Sequence, residues 1–221
     1  MSKKNDRKQN GSITELVFVI DRSGSMGGLE SDTIGGVNAV LAKNRTAPGE
    51  AQVTTVLFDH EILYLHDHQD LRRVQDLTRH DYQVRGCTAL LDAVGDTIEH
   101  IDRVQGYLPA AHKADHVIVT IVTDGYENAS KRWDYARVKR AIEAHKELGW
   151  EFLFLGANID VAAEASRIGI SADYAAPYVA DGMGTQVAYE AVAAANVAVR
   201  ACGHAPKSWA NAVRADARAR G

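Results

Sequence analysis

Asp21, Ser23 and Ser25 stand at alternate positions directly after an apolar run, in the stretch VFVIDRSGSMGG over 17–28. Glycines at 24, 27 and 28 loosen the backbone around them, so the three side-chain oxygens can be aimed at one point. Two distant stretches carry matching chemistry. The apolar run HVIVTIVTD (116–124) also ends in an acid, Asp124, and VRGCTALLDA (84–93) sets Thr88 at a helix start shortly after a glycine. Together these are two carboxylates and three hydroxyls. An oxygen-only donor set suits a hard divalent cation, and five protein groups leave room in an octahedral shell for water or an outside ligand. With only two acids the ion is underneutralised and attracts an external carboxylate.

Other chemistries fit these residues less well. Asp21 as a phosphoryl-accepting nucleophile wants a second carboxylate two residues on, and position 23 is serine. No histidine is placed by sequence to activate Ser23 or Ser25. SGSMGG is not a G-x-S-x-G elbow, and the chain has no G-x-x-x-x-G-K-[ST] loop. No catalytic residue is identified, and a non-enzyme is expected. A second polar group, His60, His66 and His68 with Asp59, Glu61 and Asp67, reads either as metal ligands or as the polar surface that protects an edge hairpin.

Buried strands beneath these residues must position them. ITELVFVI (13–20), HVIVTIVTD (116–124) and WEFLFLGA (150–157) are continuous apolar runs, as central strands covered on both faces require. AQVTTVLFDHEILYLHD (51–67) is a β-rich run broken at Asp59-His60, which predicts a hairpin. Helices are expected with Ile34, Val37, Val40 and Leu41 behind a Ser31 or Asp32 cap, and from Thr88 through Leu91, Val94, Ile98 and Ile101 to Gly106. Others are expected over 131–149 with Val138, Ile142, His145 and Leu148 on one face, over 161–169, and over 184–202. The Gly35-Gly36 pair costs a helix about 1 kcal/mol per glycine, so a close approach is expected there. Residues 68–86 read as a loop with one short helical turn, and SADYAAPYV (171–179) as holding a weak edge strand. Strands alternating with helices give an α/β three-layer sandwich: a mostly parallel central sheet, one antiparallel edge hairpin, helices on both faces. In such sheets ligands bind beyond the carboxyl ends of the strands.

The chain has 221 residues, 46% of them apolar, and a net charge of −4. That is one core-forming domain over 12–202, between a flexible tail at 1–11 and a basic tail at 203–221, frayed helix or disordered, carrying Lys207, Arg214, Arg218 and Arg220. The charge argues against a nucleic-acid partner. No apolar stretch approaches the roughly 18 residues that span a bilayer, and the N-terminus lacks a signal-peptide core, so no membrane partner is expected. Two cysteines, Cys87 and Cys202, read as reduced thiols in the cytoplasm.

The D-x-S-G-S of 21–25, the glycine-preceded Thr88 and the T-D-G of 123–125 resemble, in order and separation, the three loops of a von Willebrand factor A (VWA) domain with its metal-ion-dependent adhesion site (MIDAS). SGSM, GLESDTIGG, TTVLFD, RGCTALLDA and TDGYENAS are similar to the bacterial cytoplasmic branch of that family. The resemblance covers roughly 12–200. It implies a Rossmann-like fold with Mg²⁺, or Mn²⁺ or Ca²⁺, at the top of the sheet. Ser23, Ser25 and Thr88 would ligate directly, Asp21 through water, and Asp124 in either manner. The implied function is a protein-binding module whose ion captures an Asp or Glu side chain of a partner. Met26, Gly27, Cys87, Gly125, Tyr126 and Glu127 would form the rim, with Glu127 and Asn128 alternatively capping the next helix. The alternatives are a metal-dependent hydrolase and a non-catalytic subunit of an ATPase or stress-response assembly.

Overall fold

The computed structural model describes residues 12–220; the tail expected over 1–11 lies outside them. The strands are β1 (Ile13–Asp21), β2 (Glu50–Phe58), β3 (Ile62–Asp70), β4 (His116–Thr123), β5 (Glu151–Gly156) and β6 (Ala175–Pro177). The helices are α1 (Glu30–Arg45), α2 (Leu90–Tyr107), α3 (Tyr135–Glu147), α4 (Val161–Arg167), α5 (Gly182–Cys202) and α6 (Asn211–Arg220). The sheet order is β3-β2-β1-β4-β5-β6. Every pairing is parallel except the hairpin β2–β3. The chain therefore forms the three-layer α/β sandwich with one antiparallel edge, and the order reverses between β1 and β4.

Alternation along β1 shows why its sequence is apolar throughout. Leu16, Phe18 and Ile20 pack into the core shared with α1 and α5, and Val17 and Val19 into the core shared with α2, α3 and α4. A strand buried on both faces needs no polar side, so it reads as one continuous run. Glycine lets α5 approach α1. A Cβ on Gly36 would lie 2.3 Å from the Tyr189 ring, whereas one on Gly35 would meet nothing within 4 Å. The expected close approach thus belongs to Gly36 alone.

Other expectations need correction. α1 begins at Glu30 behind Leu29, with no side-chain cap from Ser31 or Asp32. α2 runs past Gly106 to Tyr107. α3 starts at Tyr135, capped by Asp134, which accepts a hydrogen bond from Arg137 N at 2.8 Å. Val138 and Ile142 are buried, but Leu148 is 71% exposed, because the helix has ended before it. β3 takes in residues 68–70, and 71–86 form the expected loop, with single helical turns closed by Val74 N on Asp70 O at 3.1 Å and Tyr82 N on Thr78 O at 3.2 Å.

The largest difference is over 203–220, the described part of the segment expected to be frayed or disordered: it is ordered, and α6 folds back along α5 and β6. Ala205, Trp209, Ala210 and Val213 are buried. The Trp209 indole donates to Asp173 O at 3.1 Å, Arg214 donates to the carbonyls of Ala172, Asp173 and Ala175, and Arg220 pairs with Asp181 at 2.6 Å. Basic residues that read as a solvated end are here spent on carbonyls and a helix cap. Among the described residues no helix is long and apolar enough to cross a membrane.

Candidate metal centre

The carboxyl ends of β1 and β4 meet three loops. Ser23, Ser25, Thr88 and Asp124 gather there around Asp21, although they come from segments up to about a hundred residues apart. The Ser23 and Ser25 hydroxyls are 3.0 Å apart, and Thr88 Oγ1 donates to Ser23 Oγ at 2.9 Å. Ser25 also hydrogen-bonds Asp124. The backbone of Gly125 passes close by. A Cβ there would stand 3.1 Å from Ser25 Oγ and 3.5 Å from Thr88 Oγ1, so a larger residue would push on the Ser25 hydroxyl.

Asp21 is wholly buried, and both its oxygens are engaged. Oδ1 accepts from Ser23 N at 2.6 Å and Oδ2 from Thr123 Oγ1 at 2.6 Å. Burial still pushes its carboxyl up to about 6, against these hydrogen bonds and with Asp124 adding repulsion. Burial likewise raises Asp124, whose Oδ1 is buried with no hydrogen-bond partner. Neither carboxylate has an ion-pair partner among the described residues. A buried polar atom without a partner costs about 1–3 kcal/mol. Two desolvated carboxylates, three converging hydroxyls and an orphaned oxygen are the donor set that a hard divalent cation takes.

The loops are held from outside this cluster. Tyr82 is buried, and its hydroxyl donates to Asp21 O at 2.6 Å. Gly24 N donates to Gly86 O at 3.2 Å and Arg85 N to Arg22 O at 2.8 Å, tying the first loop to the second. Thr88 is clamped by Asn128, whose Oδ1 accepts from Thr88 N at 2.9 Å and whose N donates to Thr88 O at 3.0 Å. Thr123 and Tyr82 are positioning residues that sequence reasoning missed, and Asn128, read there as a helix cap or rim residue, instead clamps Thr88. Thr123 and Tyr82 sit inside segments read as strand and loop, and only the T-D-G spelling pointed to Thr123.

The expected rim is only partly a rim. Gly27, Cys87 and Tyr126 are exposed and Gly125 is half-buried. Met26 is not available, being 1% exposed: a single 3₁₀ turn over Gly24–Met26 swings its side chain into the core. Glu127 turns inward as well. Its carboxylate accepts from Leu91 N, Ala129 N, Ser130 N and Ser130 Oγ at 2.7–3.0 Å, so it fastens the third loop to α2.

The second polar group does not converge. His66 Nδ1 meets Thr55 Oγ1 at 3.0 Å, and His68 Nδ1 meets the buried Glu15 at 2.6 Å. Asp59, His60 and Glu61 do stand together. Asp59 Oδ2, however, is neutralised by Arg22 at 3.2 Å and Arg85 at 2.8 Å, and Glu61 is also paired with Arg85. Two guanidiniums occupy the place a cation would need.

Comparison with known proteins bears on this arrangement. A family model described as von Willebrand factor type A domain matches residues 15–189. No curated protein sequence matches the chain significantly. Solved structures share the fold. Proximal thread matrix protein 1 from the mussel byssus, with a zinc-occupied MIDAS motif, has a TM-score of 0.56 at 16% identity, covering 85% of this chain and 46% of that one. The von Willebrand factor domain of the type V pili tip protein Mfa5 from Porphyromonas gingivalis has 0.58 at 12%, covering 83% and 95%. Manganese-loaded TRAP protein of Plasmodium vivax has 0.53 at 15%, covering 79% and 71%. The chain spans less than half the length of the mussel protein.

Proposed function

Because this chain belongs to the von Willebrand factor type A domain family, we propose that the hydroxyl–carboxylate cluster is a metal-ion-dependent adhesion site and that the domain is a non-catalytic protein-binding module. Asp21, Ser23, Ser25, Thr88 and Asp124 would hold the ion, with Mg²⁺ the first choice and Mn²⁺ the second. When bound, the ion supplies a Lewis-acid position for a carboxylate from outside, here an Asp or Glu of a partner protein. The observation that carries the reading is Asp124 Oδ1, buried and without a partner beside three converging hydroxyls. The zinc in the mussel protein's MIDAS and the manganese in the Plasmodium protein support a divalent ion.

The chain's own residues prepare the site. Thr123 and the Ser23 amide orient Asp21. Asn128 fixes Thr88 just ahead of α2, and Glu127 fastens the third loop to the first turn of α2. Cys87 and Tyr126, exposed beside the cluster, frame what approaches it. Both cysteines are unpaired, which suits the reducing cytoplasm.

Calorimetric titration tests the assignment. The wild type should bind Mg²⁺ or Mn²⁺ saturably, and a concentration of 100 times Kd should stabilise it by about 2.7 kcal/mol. Thr88→Ala and Asp124→Ala should lose that stabilisation while melting normally in chelator. Wild-type affinity in both variants would remove the assignment.

A further inference from the structure

The two edges of the sheet are closed off unequally. β6 is three residues long and ends in Pro177, and its Ala175 O is taken by Arg214 of α6. β3 is nine residues long and has no neighbour beyond β2. Its second half carries devices that deter pairing. The register against β2 shifts between Val53 and Val56, His68 has a φ of 46°, and Asp67 and Asp70 add charge. The first half, ILYL over 62–65, carries none of these. Leu63 is 41% exposed there, and Ile62, Tyr64 and Leu65 are half-buried.

The backbone of this half faces outward. Arg22 N donates to Phe58 O at 2.7 Å, so Phe58 turns its peptide groups toward β1. Ile62, opposite Phe58, is then in a non-hydrogen-bonded pair. Tyr64, opposite Val56, is placed the same way. The N–H and C=O of Ile62 and Tyr64 therefore point away from the sheet, and no described residue outside β2 bonds them. Side chains alternate between the two faces, and each face has a groove. One, of about 560 Å³, is lined by Ile62 and Tyr64 with His60, Lys131 and Arg132. The other, of about 370 Å³, is lined by Leu63 and Leu65 with His80, Gln83 and Arg85.

We infer that residues 62–65 are an edge to which a second copy of this chain adds antiparallel, across a two-fold axis through Leu63. In that register Ile62 lies opposite the copy's Tyr64 and Tyr64 opposite the copy's Ile62, and each pair exchanges both of its backbone bonds. The exposed Leu63 meets its own counterpart at the close, non-hydrogen-bonded position. Charge favours this occupant. Asp67 shares a face with Tyr64, since it bonds His100 at 2.7 Å and the His100 and Tyr64 rings lie 4.5 Å apart. The copy's Asp67 falls opposite residue 59, on the face where His60 and Lys131 line the groove. Lys131 has no acid of its own within ion-pair reach among the described residues, and the axis makes the Lys131–Asp67 match occur twice. Two six-stranded sheets become one continuous sheet. An axis normal to the sheet reverses every strand, so the two candidate metal centres face opposite ways. The pairing does not rest on the metal reading.

Sedimentation equilibrium of the full chain in chelator, from micromolar to near-millimolar concentration, tests this. A reversible monomer–dimer equilibrium is expected. Leu63→Lys sets like charges opposite each other on the axis and should weaken association roughly tenfold or more. Ile62→Pro should do the same with the monomer still folded by circular dichroism, because proline is tolerated at the first residue of an edge strand. Lys131→Glu should weaken association severalfold, and adding Asp67→Lys to it should restore the dimer. A chain that stays monomeric at every concentration, or a dimer equally tight in Leu63→Lys and Ile62→Pro, would overturn the interface. A charge swap that restores nothing would overturn the register on which it rests.

Discussion

Asp92 and Asp124 are both buried aspartates near the carboxyl ends of the strands, and the protein surrounds them differently. The Asp92 carboxylate accepts three backbone N–H groups, from Lys131, Arg132 and Trp133, at 2.8–3.0 Å. Burial pushes its carboxyl up, but those donors and Arg132 outweigh it and hold the group below the usual carboxylate value. Asp124 has an oxygen with no partner, and its carboxyl is raised. Two buried aspartates, Asp124 the deeper, thus have opposite electrostatics. Asp92 is finished by the fold and shapes a loop. Asp124 keeps an oxygen that no described residue satisfies. Glu15 lies between them: it is fully buried in β1 and satisfied by side chains, the Thr54 hydroxyl at 2.8 Å and His68 at 2.6 Å.

Removing the two aspartates in parallel should separate them most strongly. Asp92→Ala orphans three amides and is expected to cost about 3 kcal/mol in urea unfolding, at roughly 1 kcal/mol per lost bond. Asp124→Ala, unfolded in chelator, should cost less than about 1 kcal/mol, since it removes an unsatisfied group. Equal losses would break the comparison. A smaller effect is expected from Gly95→Ala. The new Cβ would lie 2.1 Å from the Trp133 ring, which packs on α2 and donates to Asp96 at 2.9 Å. Displacing it should cost about 2 kcal/mol and red-shift tryptophan emission. If the 131–133 loop also steadies the metal centre, ion affinity will fall with it.

The smallest effect is a pH dependence at His68. The hydrogen bond to Glu15 raises the pKa of His68 against the opposing effect of burial, and the charge of Asp67 adds to the rise. A raised histidine contributes stability that is complete below the unfolded value near 6.5 and is lost as pH rises through the folded value. Wild-type stability should therefore decline from about pH 6.5 upward by less than about 1 kcal/mol, because the ring is partly exposed. His68→Gln should flatten that decline in urea melts run across the pH range.

The sequence revealed most where burial leaves no choice. β1, β4 and β5 show as unbroken apolar runs because helices cover both faces, and the three loops show because their oxygens follow those runs directly. α6 was hidden for the converse reason. Of the buried anchors only Val213 lies in the helix, the two alanines and the tryptophan coming before it, and its hold on the body comes from Arg214 reaching three carbonyls. Spacing carries no record of such bonds. Met26, read as rim, and Glu127, read as rim or as a cap on the next helix, are placed otherwise for a related reason. A 3₁₀ turn and a set of local backbone donors, neither encoded in periodicity, turn them inward.

The knot that Glu127 ties has a bearing on protein engineering. A third loop pinned at Leu91, Ala129 and Ser130 has no slack, so lengthening it would unpick its own foundation. On the proposed function, retargeting would keep every loop at its present size and vary the side chains at Cys87 and Tyr126. Novel selectivity would then arise from exchanging two decorations on a frame that stays put.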